Sequence, residues 1–120
     1  MNGILNVEAI RIAQAKFGDR TLTGDEVRWG FEHLQLDPAR VKALGAEGLF
    51  HSIDVTCSDH EGHGYVTFQQ WDGAKWVRIS DWIAPDWAVL RPIIEASANK
   101  YAAEHNITPR DCAKETVASN

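Results

Sequence analysis

Asp59-His60-Glu61-Gly62-His63 is the one polar cluster in the chain that invites a catalytic or metal-binding reading. Its His-Glu-x-His spacing is one residue short of the helical zinc-protease pattern, so its two imidazoles do not share a helix face. Gly62 and Gly64 make the stretch a loop. Loops also bind metals, and His51 or Asp54 can supply further ligands. Two readings stay open: a metal site on the Asp59–His63 loop, or a solvated interstrand loop whose glycines take unusual backbone angles. The second is preferred. Acid–base pairs can be drawn from Asp54 with Glu61 or Asp81 with Asp86, yet with 24% charged residues such pairs arise by chance. Trp71, Trp76, Trp82 and Trp87 lie close together and can form a stacking platform for sugars or bases. Packing is the better reading, because Trp71 and Trp76 flank an Asp-Gly turn and can pair across a hairpin. The chain has no nucleophile elbow, phosphate loop or dinucleotide fingerprint, and no enzyme is read from it.

Charge narrows the partners. Twelve Lys and Arg against 17 Asp and Glu give a net charge of −5 in 120 residues, with no basic block. Nucleic acid and anionic membrane surfaces both require clustered basic residues and are disfavoured. No apolar run approaches the ~18 residues of a membrane span. The first residues lack the basic start and cleavage site of a secretory signal, which taken alone places the chain in the cytoplasm. Cys57 and Cys112 form no CxxC motif, so they are either two free thiols or, in an oxidising compartment, a disulfide.

The elements that must position these groups follow from periodicity and caps. Ile4 to Phe17 reads as a helix that is apolar around most of its girth, with only the strip of Glu8, Arg11 and Ala15 solvated. Thr23 and Glu26 form a capping box, and Leu22 and Val27 a hydrophobic staple, for a second helix that buries Val27, Phe31 and Leu34. Asp37-Pro38 starts a third helix, closed by Gly45 after Leu44. Alternation at Ile53, Val55 and Cys57 gives a strand. Residues 65–71 and 75–80 form a hairpin about Asp72-Gly73. A last helix carries Ile94, Ala98, Tyr101 and Ala102, with Pro92 in its first turn and Asn106 at its end. Thr108 to Asp111 begins a short extra turn, and residues 114–120 form a frayed tail.

Three segments in order, LNVEAIRIAQAKFG, LTGDEVRWGFEHLQLDPARVKALGAEGLF and VTCSDHEGHGYVTFQQWDGAKWVRISDWI, resemble the C-terminal part of a family of periplasmic substrate-binding proteins. That family serves ABC transporters for branched-chain amino acids and amides. The resemblance runs from about Gly3 to Cys112, and its most specific parts are VTCSDHEGHG and QQWDGAKWVRISDW.

It implies an α/β fold class: a C-terminal fragment of a two-lobed periplasmic-binding-protein-like fold, with helices, a short hairpin-containing strand segment, then a C-terminal helix. Residues 1–50 would be the helical part of the first lobe and 51–83 the strands near the hinge and second lobe. Residues 84–113 would be the C-terminal helix and extension. The implied function is capture of small aliphatic amino acids or amides for delivery to an ABC transporter permease, without catalysis, cofactor or metal. The location implied is periplasmic, with the signal peptide upstream. The family's main ligand contacts would also lie upstream, so no ligand-binding residue is assigned. The resemblance further implies a Cys57–Cys112 disulfide. The alternatives are a self-sufficient metal-binding domain built on the Asp59–His63 loop, and an oligomer that exchanges helices.

Overall fold

The computed structural model describes residues 2–114. They fall into two compact units, one ending at Tyr65 and the other beginning at Val66. The tail expected at 114–120 lies, apart from Lys114, outside the described residues.

The first unit holds α1 (Asn2–Phe17), α2 (Gly24–Phe31), β1 (Gln35–Leu36), α3 (Pro38–Ala43) and β2 (Ile53–Asp54). The capping box is formed in full at the start of α2. Thr23 Oγ1 accepts from Glu26 N at 3.3 Å, and Thr23 N donates to Glu26 Oε2 at 2.8 Å. Asp37 Oδ1 accepts from Arg40 N at 2.7 Å to start α3, with Pro38 in its first turn. At the other end of α3, Ala46 N donates to Val41 O and Gly45 N to Lys42 O, the paired bonds of a Schellman closure. Gly45 takes φ +66, which a side chain would oppose.

Helices α1 and α2 approach closely because Gly30 faces α1 without a side chain. A Cβ there would fall on the Ala9 carbonyl oxygen and meet Ala13 Cβ at 3.0 Å. The core beside them is Leu34, Leu36, Val41, Ala46 and Phe50, with Ile12, Leu44, Ile53 and Val55 packed against it. Strands β1 and β2 run antiparallel in the register Gln35↔Asp54 and Leu36↔Ile53, and Val55 N extends the pairing to Leu34 O at 3.0 Å.

One expectation for α1 is corrected. Glu8, expected on its solvated strip, is 2% exposed. Arg40 of α3 holds it through two bonds, Nη2 to Oε1 at 2.6 Å and Nε to Oε2 at 2.9 Å, and Arg11 adds a third contact at 3.0 Å. The partner that makes this burial tolerable lies 32 residues away, beyond the reach of helical periodicity.

The second unit holds β3 (Gln69–Trp71), β4 (Trp76–Arg78) and α4 (Trp87–Glu104). The hairpin pairs Gln69↔Arg78, Gln70↔Val77 and Trp71↔Trp76. Its turn is fixed by Asp72 Oδ1, which accepts from Ala74 N at 2.8 Å and Lys75 N at 2.9 Å, and by Gly73 at φ +103. The strand expected over 65–71 is shorter, because Ser80 Oγ takes the Phe68 N–H at 2.9 Å in place of a ladder carbonyl. Val66 and Ile83 pair as an isolated bridge beyond that break.

Helix α4 starts earlier than expected. Asp86 caps it by accepting from Val89 N at 3.3 Å, so Pro92 lies inside the helix rather than in its first turn. Asn106, at φ +53, follows its end, and Ile107 N closes back on Ala102 O at 2.9 Å. The short turn expected from Thr108 instead centres on 112–114, where Asp111 accepts from Ala113 N and Lys114 N.

Candidate functional site

The loop after β2 folds back on itself. Thr56 and Asp59 exchange backbone bonds at 2.9 and 3.2 Å, and Asp59 Oδ1 accepts from Glu61 N at 3.0 Å. Gly62, His63 and Gly64 then take φ of +63, +72 and +63, three successive residues in the left-handed region. His63 is the costly member, since a residue with Cβ pays roughly 1–2 kcal/mol there. Gly62 lies against β2, where an added Cβ would meet Ile53 Cγ2 at 3.2 Å. The two glycines thus supply both the turn and the close approach.

This course gives the loop histidines separate partners. His60 Nε2 stands 3.5 Å from Glu32 Oε1, a carboxylate that is itself buried. His63 Nε2 stands 4.0 Å from Asp54 Oδ2, and the Asp54 Oδ1 is buried without a hydrogen-bond partner. His51 Nδ1 meets Ser52 Oγ at 2.9 Å, and its ring lies 4.1 Å from that of Tyr65. Among the described residues no group of three or more His, Cys, Asp or Glu is placed to hold a metal ion. The metal-site alternative for the Asp59–His63 loop is therefore corrected: the backbone turns between the imidazoles and leaves two His–carboxylate pairs instead of one ligand set.

A cleft of about 310 Å³ opens beside these pairs, with Gln35, Asp37, Ser52, Asp54 and His63 on its walls. It is rich in acceptors, but Asp37 already caps α3 through Oδ1. Its polar walls suit hydrogen bonding and weak attraction of cations. Of the other proposed acid pair, Asp81 and Asp86, the latter is engaged as the cap of α4.

The tryptophans divide among local contacts. Trp71 and Trp76 meet edge to face at 5.7 Å across the hairpin, Arg78 lies 5.9 Å from Trp82, and Arg91 lies 4.9 Å from Trp87. The Trp71–Trp76 pair is edge to face rather than stacked. Both cysteines, Cys57 and Cys112, are disulfide-bonded.

The strongest electrostatic features lie elsewhere in the first unit. The Arg40 side-chain hydrogen bonds pull the Glu8 carboxyl down to about 2, against the opposing effect of burial, with Arg11 adding to the pull. Glu26 is also lowered, first by Arg20 at 2.6 Å and then by the Thr23 backbone N–H. Neither ion pair was anticipated from sequence. The available signal was an acid in the middle of an otherwise apolar helix, which demands a cationic partner somewhere in the fold.

No family model and no curated protein matches the chain. A solved structure does, one described as the crystal structure of an ABC transporter permease from the Pseudomonas fluorescens group. The likeness has a TM-score of 0.87 at 52% identity over 92% of this chain, and this chain spans 27% of that one. The finding corrects the reading of the chain as a portion of a periplasmic solute-binding protein for amino acids or amides. The similar structure is described as a permease, and no comparison yields a binding protein or a ligand.

Proposed function

We propose that the chain is an extramembrane part of an ABC transporter component, placed in an oxidising compartment outside the cytoplasm, with a role in assembly rather than catalysis. The observation that carries this reading is the 52% identity, sustained over 92% of the chain at a TM-score of 0.87, to a structure described as an ABC transporter permease. Among the described residues no helix is long and apolar enough to cross a membrane, which supports an extramembrane position. The disulfide-bonded state of Cys57 and Cys112 supports the compartment, because such bonds persist where glutathione and thioredoxin do not reduce them. In this reading the His60–Glu32 and His63–Asp54 pairs hold the loop over β2 and transform no substrate.

The test is cross-linking in the host followed by affinity purification of the tagged protein and quantitative mass spectrometry. An ABC ATP-hydrolysing subunit should be enriched over an untagged control. Recovery without any ABC transporter subunit would overturn the reading.

A further inference from the structure

The second unit is built of secondary structure with no interior of its own. From Val66 to Lys114 not one residue is buried, although the stretch contains a hairpin and an 18-residue helix. The hairpin register places Phe68 opposite Ile79 on one face, joined by the Ile79 N to Phe68 O bond at 3.0 Å, with Val77 on that same face. Phe68 is 59% exposed and Ile79 60%. The other face carries the Trp71–Trp76 pair, 51% and 65% exposed. Helix α4 leaves Val89 and Ile93, four residues apart and so on one stripe, 57% and 62% exposed. Along the same helix runs a groove of about 600 Å³ walled by Ile94, Ala98, Tyr101, Ile107 and Pro109.

Scattered apolar residues on a surface are ordinary, but large apolar side chains left exposed on both hairpin faces and along α4, with none buried in the unit, mark surfaces that another surface covers. We propose that these faces form an interface within a longer polypeptide, covered by the part of the transporter component outside the stretch this chain represents. The inference rests on the transporter reading above and names what this unit does within it. Its ground is the extent of the likeness: the same fold recurs as 27% of the matched chain, so most of that chain is available as cover. A covering segment on the same polypeptide acts at an effective concentration of roughly millimolar, which a second copy of this chain does not reach at ordinary protein concentrations.

The test compares this chain alone with a chimera in which it replaces, in frame, the matched stretch of the solved permease-described chain. Hydroxyl-radical footprinting reads side-chain accessibility in both. Phe68, Trp76 and Tyr101 should oxidise about tenfold more slowly in the chimera, while Trp29 of the first unit keeps its rate. Equal rates in the two contexts overturn the proposal. Protection in the isolated chain that grows with its concentration, with a dimer by sedimentation, also overturns it and assigns the faces to a second copy.

Ile79→Glu supplies an independent measurement. It should leave the melting temperature of the isolated chain unchanged and lower that of the chimera by about 5 °C or more. An equal shift in both overturns the interface. These measurements use purified polypeptides without any transporter subunit, so their outcome is separate from that of the cross-linking experiment.

Discussion

At the scale of single residues, the most consequential group in the chain is the Glu8 carboxylate. It is nearly fully buried, yet charged, because two guanidinium groups converge on it from α1 and α3. Its folded-state pKa of about 2 lies below the value an unfolded chain would give it. A depressed carboxylate contributes stability that is fully present above the unfolded pKa and is lost as pH falls through the folded one. For a shift of this size the contribution is about 3 kcal/mol, present above about pH 4.5 and dissipating toward pH 2. Urea denaturation at stepped pH should show that loss. Glu8→Gln should lower stability at neutral pH by about 2 kcal/mol and reduce the acid dependence, leaving the part that the Glu26 carboxylate contributes. An undiminished pH slope in the variant would show that another carboxylate governs acid unfolding.

At the scale of elements, what governs the first unit is how closely α1 and α2 meet, and Gly30 sets that distance. Gly30→Ala would be a gain on helix propensity of about 1 kcal/mol if the position were free. It is not free, since the new methyl falls on the Ala9 carbonyl oxygen and against Ala13. Moving two packed helices apart costs about 1–3 kcal/mol, so the net effect should be destabilising, read as a lower denaturation midpoint with an unchanged slope. A stabilised variant would mean that the helices separate freely. Element by element, the chain was legible where the determinant is local. The Thr23–Glu26 box, the Asp37-Pro38 start and the Asp72-Gly73 turn all form as their residues indicate. Where the determinant comes from elsewhere it was not legible. The β1 pairing with β2 spans residues 35 to 54, the Glu8 clamp spans 32 positions, and the Ser80 hydroxyl that shortens β3 reaches across the hairpin. The loop histidines illustrate the same limit, because spacing alone did not reveal that the left-handed run from Gly62 to Gly64 gives each imidazole its own carboxylate.

At the scale of the whole molecule, the two units are stabilised by different means. The first has a buried apolar cluster, two clamped carboxylates and capped helices. Among the described residues the second has none that is buried, and to its hairpin and helix hydrogen bonds it adds a disulfide constraint. The chain has two cysteines and both are disulfide-bonded; joined to each other, they close a loop that contains the whole hairpin and α4. For a loop of about 55 residues the chain-entropy model gives about 4 kcal/mol, taken from the unfolded ensemble. Residues with few buried contacts open at low free-energy cost, so that constraint should account for most of the protection their amides show. Hydrogen exchange with and without reductant tests this directly. On reduction, amides of β3, β4 and α4 should exchange faster by up to about three orders of magnitude, the kinetic equivalent of about 4 kcal/mol, while those of α1 and α2 change less than about tenfold. The asymmetry is the decisive reading, because a single cooperative fold would lose protection everywhere by the same factor, and that result would refute a second unit held chiefly by its disulfide.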